Sequence, residues 1–158
     1  MKGGNGMKLS TKGRYGLRAL VDLAVYSEEE NVSISSIAGR QKISESYLEQ
    51  LMAKLKKAGL VVSIRGAGGG YKLGKPAEEI SVGDVLRALE GNLDAVECAG
   101  LNPDRGCQGA DLCVTKYVWQ RINESITQAV DDISLSQLVE ESKEFKKKGQ
   151  LPGGGCEC

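Results

Sequence analysis

Three cysteines lie close together in the second half of the chain, at Cys98, Cys107 and Cys113. The thiolate is the form of cysteine that binds metals, and three thiolates on a flexible loop can bind an iron–sulfur cluster whose fourth ligand comes from elsewhere. Eight and then five residues separate the cysteines, which matches neither a zinc ribbon nor a ferredoxin. Buried free thiols and a redox-active disulfide stay open as alternatives.

Composition and charge limit the classes of function. The chain has no histidine among its 158 residues, so a Ser/His/Asp arrangement is impossible, and no phosphate-binding GxxxxGK or dinucleotide motif is present. We therefore expect that the protein is not an enzyme. Residues 1–75 carry 13 Lys and Arg against 6 Asp and Glu, whereas residues 76–158 carry 8 against 15. The basic first half predicts a polyanionic partner, with chance clustering on solvated faces as the alternative.

The sequence also bears on location. No apolar run approaches the roughly 20 residues that span a bilayer, and no charged segment followed by an apolar one marks a signal peptide at the N-terminus. We expect a cytoplasmic protein with no membrane partner. In such a reducing compartment the five cysteines indicate metal or redox chemistry rather than structural disulfides.

The elements that must position these cysteines begin with three helices. Apolar residues at helical spacing predict a first helix capped by Ser10 or Thr11, a short second helix capped by Ser35, and a third that follows Ser44 and stops at Gly59. Two short helices joined by a few residues, the second amphipathic and basic toward its end, are typical of a helix-turn-helix.

A hairpin is predicted directly after the third helix. Residues 60–64 favour a strand, "GAGGG" a flexible turn, and "YKL" a return strand. A hairpin in this place is the wing of a winged helix-turn-helix, with an arbitrary surface hairpin as the alternative. The fold class is therefore mainly α with a small β-hairpin.

The outward face of the third helix has the residue types that read DNA. Ser46, Tyr47 and Gln50 can donate and accept hydrogen bonds at base edges, and Lys54 can meet a phosphate. Lys57 has the same chemistry as Lys54. The wing residue Arg65 stands beside glycines and can enter a narrow A·T-rich minor groove.

Glu49 is the exception on this face, because a carboxylate near DNA is costly unless it accepts from a donor such as cytosine N4. It can therefore discriminate between operators by attraction or repulsion. A solvated glutamate paired with a nearby lysine is the alternative.

The second half predicts a fourth helix from Ser81 to Gly91, an irregular cysteine loop, and a long amphipathic helix whose apolar stripe can bury against a second copy of the chain. Packing of that stripe on its own domain is the alternative. The predicted organisation is a disordered extension 1–6, a winged helix-turn-helix 7–91, a cysteine-rich cluster-binding loop 92–113, a dimerisation helix with a short C-terminal helix 114–145, and a disordered tail 146–158.

Three stretches resemble the IscR family of iron–sulfur-cluster-sensing transcriptional regulators, whose relatives include the NsrR and CymR regulators. They are "KGRYGLRALVDLA", "ISESYLEQLMAKLKKAGLVVSIRGAGGGYKL" and "CQGADLC" followed by a Trp-containing helix, and the resemblance runs from about residue 7 to 141. It implies a homodimer with one [2Fe–2S] cluster per subunit, a [4Fe–4S] cluster being the alternative. The positions it implies are Cys98, Cys107 and Cys113 for the cluster, and Ser44, Ser46, Tyr47, Glu49, Gln50 and Arg65 for DNA.

The chain departs from the family pattern at the fourth cluster ligand. The best-known members have a histidine three residues after the last cysteine, where this chain has Lys116, and their first cysteine gap is three residues shorter. A protonated lysine cannot bind iron. The remaining candidates are Glu97, Asp104, Asp111, Cys156 and Cys158, among which the sequence does not choose.

The resulting hypothesis is a repressor of cluster-assembly genes whose choice of double-stranded DNA operator changes when the cluster is bound. Cluster-assembly scaffold proteins are further expected partners. A nitric-oxide-sensing or redox-sensing regulator with a [4Fe–4S] cluster is one alternative, and a cluster-free cysteine-metabolism regulator is another. An iron–sulfur carrier without DNA binding is a third, although a carrier would not need the third helix or the basic first half.

Overall fold

Most of the described α-helices begin at a serine whose hydroxyl accepts a hydrogen bond from the first helical turn. The computed structural model describes residues 9–102 and 104–149. Ser10, Ser44 and Ser81 cap their helices, as predicted, and Ser81 forms a full capping box with Asp84. In chain order the helices and strands are α1 (Thr11–Tyr26), α2 (Ile34–Gln41), α3 (Glu45–Lys57), β1 (Val61–Ile64), β2 (Gly70–Leu73), α4 (Val82–Glu90), α5 (Lys116–Asp131) and α6 (Leu135–Lys147).

The cap predicted for α2 is wrong. Ser33, not Ser35, accepts the hydrogen bond from the Ser36 N–H, and Ser35 lies inside the helix. Val32 forms a β-bridge with Tyr71 of the hairpin, with N···O distances of 2.9 and 2.7 Å. This tertiary contact keeps the chain extended up to Ser33, so the helix begins there.

The predicted wing is present as a two-stranded antiparallel hairpin. The register runs from Val61 opposite Leu73 to Ile64 opposite Gly70. The turn between the strands needs glycine, because Gly66 and Gly68 have φ values of 101° and 74°. The hairpin follows α3 after Gly59, whose φ of 76° ends the helix as predicted.

Within the described residues, an aliphatic core joins α1, α2, α3, α4 and α6 to the wing. α1 packs against α2, α3, α4, α6 and β2, and the middle of α1 contributes the fully buried Leu20 and Leu23. Other large side chains with essentially no exposure are Ile37, Leu48, Leu51, Met52, Leu55, Ile80, Leu89 and Leu135. The described architecture is that of the predicted winged helix-turn-helix.

The C-terminal helix α6 packs back onto this core. Leu135 and Val139 of α6 belong to the buried core cluster. Two backbone hydrogen bonds fix the return, from Leu135 N to Ile80 O at 2.7 Å and from Val82 N to Ile133 O at 2.8 Å. α6 also continues to Lys147, two residues past the predicted boundary at 145. The predicted extension 1–6 lies outside the described residues, as does the tail from 150 on.

α5 is exposed along its length, and none of its residues is buried. Its predicted apolar stripe is only partly covered in the single chain. Val118, Ile122 and Ile133 are 49%, 37% and 41% exposed, whereas Trp119, Ile126 and Val130 are half-buried. None of the described helices has the length and apolar character to cross a membrane.

Candidate DNA-binding surface and cysteine loop

The outward face of α3 presents three side chains that are free to meet another molecule. Ser46, Glu49 and Gln50 are exposed, and within the described residues their side chains make no hydrogen bond and no ion pair. The opposite face of the helix is fixed by Leu48 and Leu51, which are buried in the core. Among the described residues, Glu49 therefore forms no ion pair with a nearby lysine.

Two of the predicted contact residues are engaged in holding α3 in place. Ser44 caps the helix by accepting from the Tyr47 N–H at 3.2 Å. The Tyr47 hydroxyl donates to Thr11 Oγ1 at 3.1 Å, and the Tyr47 ring meets the edge of Tyr15 with centroids 6.3 Å apart. These contacts fix the start of α3 against the start of α1.

Lys54, which is predicted to meet a phosphate, makes a hydrogen bond within the chain. Its ammonium donates to the Leu89 carbonyl at 3.2 Å, at the end of α4. The last carbonyls of a helix have no partner within it and carry partial negative charge, so they attract a cation. Lys57, which was considered for the same phosphate role, is exposed.

Arg65 stands at the end of β1, where the wing turns. It is exposed, and Gly66 and Gly68 in the turn have no side chain to block a close approach. The adjacent loop supports the turn, since Asn31 Nδ2 donates to the Gly68 carbonyl at 3.1 Å. The wing thus presents the guanidinium on a fixed hairpin beside α3.

A buried ion pair that sequence reasoning did not find fixes α2 against α1. Asp22 is 7% exposed and accepts from Arg40 Nε and Nη2, the shortest contact being 2.6 Å, and from Gln41 Nε2 at 2.9 Å. The hydrogen bond that Arg40 donates to Asp22 raises the pKa of Arg40 above its ordinary value. The only signal of this pair in the sequence is an aspartate among the apolar core positions of α1. Its partner Arg40 lies 18 residues away.

The cysteine loop, which was predicted to be irregular, is a series of turns that includes one short 3-10 helix, Ala99–Leu101. All three of its cysteines are free, with Cys107 exposed and the other two half-buried. The carbonyl of each cysteine accepts a hydrogen bond from the N–H three residues later, at 3.0, 3.0 and 3.3 Å for Cys98, Cys107 and Cys113. Each thiol therefore stands at the start of its own turn.

The thiols are suitable metal ligands by their chemistry, but the loop is not arranged as a cage. The Thr115 hydroxyl lies 3.2 Å from Cys113 Sγ, and with the Lys116 N–H it lowers the pKa of the Cys113 thiol, which favours the thiolate that binds metal. Within residues 9–102 and 104–149 no three Cys, Asp or Glu side chains lie close enough together to hold a metal ion.

The candidates for the fourth cluster ligand differ in their exposure and in their contacts. Glu97 is 75% exposed and pairs with Arg105 at 3.5 Å, while Asp104 and Asp111 are exposed. Lys116 takes the place of the family's histidine, and its Nζ lies 5.4 Å from the centre of the Tyr117 ring. Cys156 and Cys158 lie outside the described residues.

The loop is tied to the rest of the chain at α5. Asn123 Oδ1 accepts from the Ala95 N–H at 2.9 Å, and Asn123 Nδ2 donates to the Val96 carbonyl at 3.2 Å. At the other end of α5, Asp131 forms an ion pair with Arg87 of α4 at 2.5 Å. α5 thus contacts both the cysteine loop and the winged helix.

Comparison with known proteins identifies the family to which the chain is similar. Residues 9–141 match the profile of the Rrf2 family, described as an iron-dependent transcriptional regulator. The HTH-type transcriptional regulator IscR of Serratia proteamaculans (strain 568) is 47% identical over 133 residues, which cover 84% of this chain and 79% of that protein. IscR of Vibrio atlanticus (strain LGP32) is 44% identical over 137 residues, which cover 87% of this chain and 78% of that protein.

Solved structures share the fold at similar identity. T. potens IscR has a TM-score of 0.70 and 42% identity, and the match covers 96% of this chain and 97% of that chain. CymR, named as the global cysteine regulator of B. subtilis, has a TM-score of 0.70 and 41% identity, covering 85% of this chain and 97% of that chain. These similarities confirm the predicted fold class and the predicted class of regulator.

Proposed function

This chain belongs to the Rrf2 family of iron-dependent transcriptional regulators and is a DNA-binding regulator, and we propose that an iron–sulfur cluster in its cysteine loop changes the operators it selects. The observation that carries the proposal is the position of three free thiols, Cys98, Cys107 and Cys113. They lie in the segment that joins the winged helix to the exposed helix α5.

The cluster would be held by these three cysteines, one [2Fe–2S] cluster per subunit. The donor set fits, because thiolates are the ligands that iron–sulfur clusters use and the hydrogen bond with Thr115 lowers the pKa of the Cys113 thiol. The bound cluster would be the cofactor, and its presence would report the supply of iron and sulfur. Because the thiols are not grouped, cluster binding would require the turns of the loop to rearrange. The free energy of cluster binding would then favour one conformation of the loop.

DNA recognition is assigned to the exposed face of α3 and to the wing. Ser46, Glu49 and Gln50 would contact base edges in the major groove, and Arg65 would enter the minor groove. Ser44 and Tyr47 would orient the helix as well as touch DNA, since both are engaged at its start. Lys54 would reach a phosphate only after releasing the Leu89 carbonyl.

The working form would be a homodimer in the cytoplasm. The exposed apolar stripe of α5 fits a second copy of the same helix, and two-fold symmetry would present two recognition helices to half-sites about 34 Å apart. Reduced thiols need a reducing compartment. We propose repression of cluster-assembly genes when clusters are plentiful, with cluster-assembly scaffold proteins as the source of the cluster.

Anaerobic reconstitution with iron and sulfide, followed by native mass spectrometry, tests the cofactor. Two irons and two sulfides per subunit, lost in Cys107→Ala, are the expected result. Four irons would replace the [2Fe–2S] assignment by the nitric-oxide-sensor alternative. Matched single variants of Glu97, Asp104, Asp111, Cys156 and Cys158 then identify the fourth ligand by the change in the cluster's absorption spectrum.

A cluster-free regulator is the second candidate, and the likeness to CymR at 41% identity favours it. The same experiment separates the two, since this candidate predicts no cluster while DNA binding is kept. Binding to duplex DNA that weakens steeply with salt also separates both candidates from an iron–sulfur carrier.

A further inference from the structure

The last turn of α4 reaches across the molecule to the start of α1. Oε1 of Glu90 accepts three hydrogen bonds there, from Ser10 N at 2.9 Å, from Ser10 Oγ at 2.5 Å and from Gly13 N at 2.8 Å. The first N–H groups of a helix have no partner within it, and the positive end of the helix dipole favours a carboxylate. Glu90 is therefore a cap for α1 that is supplied from another helix.

The electrostatics agree with a cap that acts as a carboxylate. Burial alone raises the pKa of Glu90, but the hydrogen bonds from Ser10 and Gly13 and the charge of Lys12 outweigh it and lower that pKa below its ordinary value. Glu90 is thus ionised at neutral pH, when its charge faces the N-terminus of α1.

Two glycines within α1 make this approach possible. A side chain at Gly13 would meet the Glu90 carboxylate and Leu86, and one at Gly16 would meet Leu89. Glycine inside a helix is disfavoured because it loses the most backbone freedom on folding. Its use at both positions is explained by the close contact of α1 with the end of α4.

The same turn of α4 also contacts the recognition helix. The Leu89 carbonyl, next to Glu90, accepts from Lys54 Nζ of α3 at 3.2 Å. α1 and α3 contact each other directly through Tyr47 and Thr11. A displacement of residues 89 and 90 would therefore change the position of α1 and α3 together.

The cysteine loop begins immediately after this turn. Gly91, with φ of 85°, ends α4, and Asn92 then forms a tight turn by accepting from the Asp94 N–H at 3.0 Å. The next two residues, Ala95 and Val96, are held by Asn123, and Cys98 follows two residues later. A short, hydrogen-bonded segment thus joins the first thiol to Glu90.

We propose that Glu90 is a positioning residue through which the state of the cysteine loop changes the orientation of the DNA-binding helices. This inference rests on the proposed function, because it needs a loop whose conformation depends on the cluster. Glu90 touches neither DNA nor cluster in this account. It acts by holding or releasing the start of α1, and the loop can influence DNA binding only if the two loop states favour different positions of α4.

The test compares affinities in two states of the full-length protein. The probe is a DNA duplex selected from a random-sequence library by the reconstituted wild-type protein. Its Kd is measured anaerobically for the cluster-loaded and the metal-free forms of wild type, Glu90→Ala and Ser134→Ala. Ser134→Ala is the matched control, because it removes the capping box of α6, far from the loop in sequence.

We expect a ratio of the two Kd values on the order of tenfold in wild type, as for typical couplings between sites, and a ratio near one in Glu90→Ala. Ser134→Ala should keep the wild-type ratio. A wild-type ratio of one would contradict the proposed function itself. A wild-type ratio that Glu90→Ala retains would overturn only the inference about Glu90, as would a ratio that Ser134→Ala loses equally.

A second readout stays valid if Glu90→Ala fails to fold. Hydrogen exchange of the Gly13 amide, which Glu90 protects, is followed in wild type with and without the cluster. Different protection in the two forms is expected. Equal protection, in a protein whose DNA affinity does depend on the cluster, would overturn the role of Glu90.

Discussion

The recognition helix α3 and the cysteine loop are prepared to different degrees for the molecules they are proposed to bind. In α3, a buried leucine face, a capping serine and a tyrosine contact to α1 hold the reading residues in position before DNA arrives. In the loop, each cysteine starts a separate turn, and the thiols are not grouped within the described residues. A preformed surface gives specificity for DNA, whereas a loop that must close around its ligand can report whether that ligand is present.

The largest expected effect tests whether α3 owes its position to the core. Leu51→Ala should lower the free energy of unfolding by about 2–5 kcal/mol, because a fully buried leucine leaves a cavity. Leu112→Ala in the loop should change it by less than about 0.5 kcal/mol, since that side chain is 91% exposed. Urea denaturation of the metal-free proteins measures both. Equal losses of unfolding free energy in the two variants would contradict the contrast between a firmly held α3 and a loosely held cysteine loop.

The next effect concerns the buried ion pair that fixes α2. Asp22→Ala should cost about 1–3 kcal/mol, since it leaves the Arg40 and Gln41 donors without an acceptor. The loss stays below that of a fully buried pair because the Arg40 side chain is 32% exposed and can meet water. Thermal denaturation checks the value, and Asp22→Asn, which keeps an acceptor, should lose less.

Two helix starts provide a smaller comparison. Ser44→Ala should destabilise by about 1 kcal/mol, because it removes the cap of α3. Thr115→Ala should leave the stability of the metal-free protein within about 0.5 kcal/mol, since Thr115 makes no capping bond to α5 and its hydroxyl faces Cys113 instead. A large loss for Thr115→Ala in urea denaturation would show that the start of α5 is as firmly built as that of α3.

The smallest effect is a pH dependence at the end of α4. Glu90 has a lower pKa in the native protein than its ordinary 4.5, so it stabilises the fold above that value, and this contribution is lost as the pH falls toward the lowered native pKa. Solvent screening limits it to below about 1 kcal/mol. Unfolding free energies from pH 7 down to pH 3 should therefore fall less steeply for Glu90→Gln than for wild type. If the unfolding free energies of both proteins fell equally steeply with pH, the charge of Glu90 would not contribute to its capping role.

Local signals in the sequence predicted the parts of the fold that depend on local interactions. Ser10, Ser44 and Ser81 were identifiable because a serine before an apolar-periodic run caps a helix, and Gly59 because a helix end favours positive φ. The cap of α2 was missed, since the Val32–Tyr71 bridge that decides it joins residues far apart in the chain.

The long-range contacts of the candidate site could not be read from the sequence. The partnership of Glu90 with Ser10 spans 80 residues, and the return of α6 to the core joins Leu135 to Ile80. Lys54 carries the charge that suits a phosphate, but its contact with Leu89 depends on where α4 ends. The spacing of the cysteines indicated the kind of ligand, whereas the turns that separate them appear only in the structure.

The central claim is that the cysteine loop decides which DNA the winged helix selects. The most direct test is to enrich duplexes from one random-sequence library with two proteins under anaerobic conditions, the cluster-loaded wild type and the triple variant Cys98→Ala, Cys107→Ala, Cys113→Ala. The account predicts different enriched sequences, with the two proteins differing in affinity for each set. The same sequences bound with the same affinities by both proteins would contradict it.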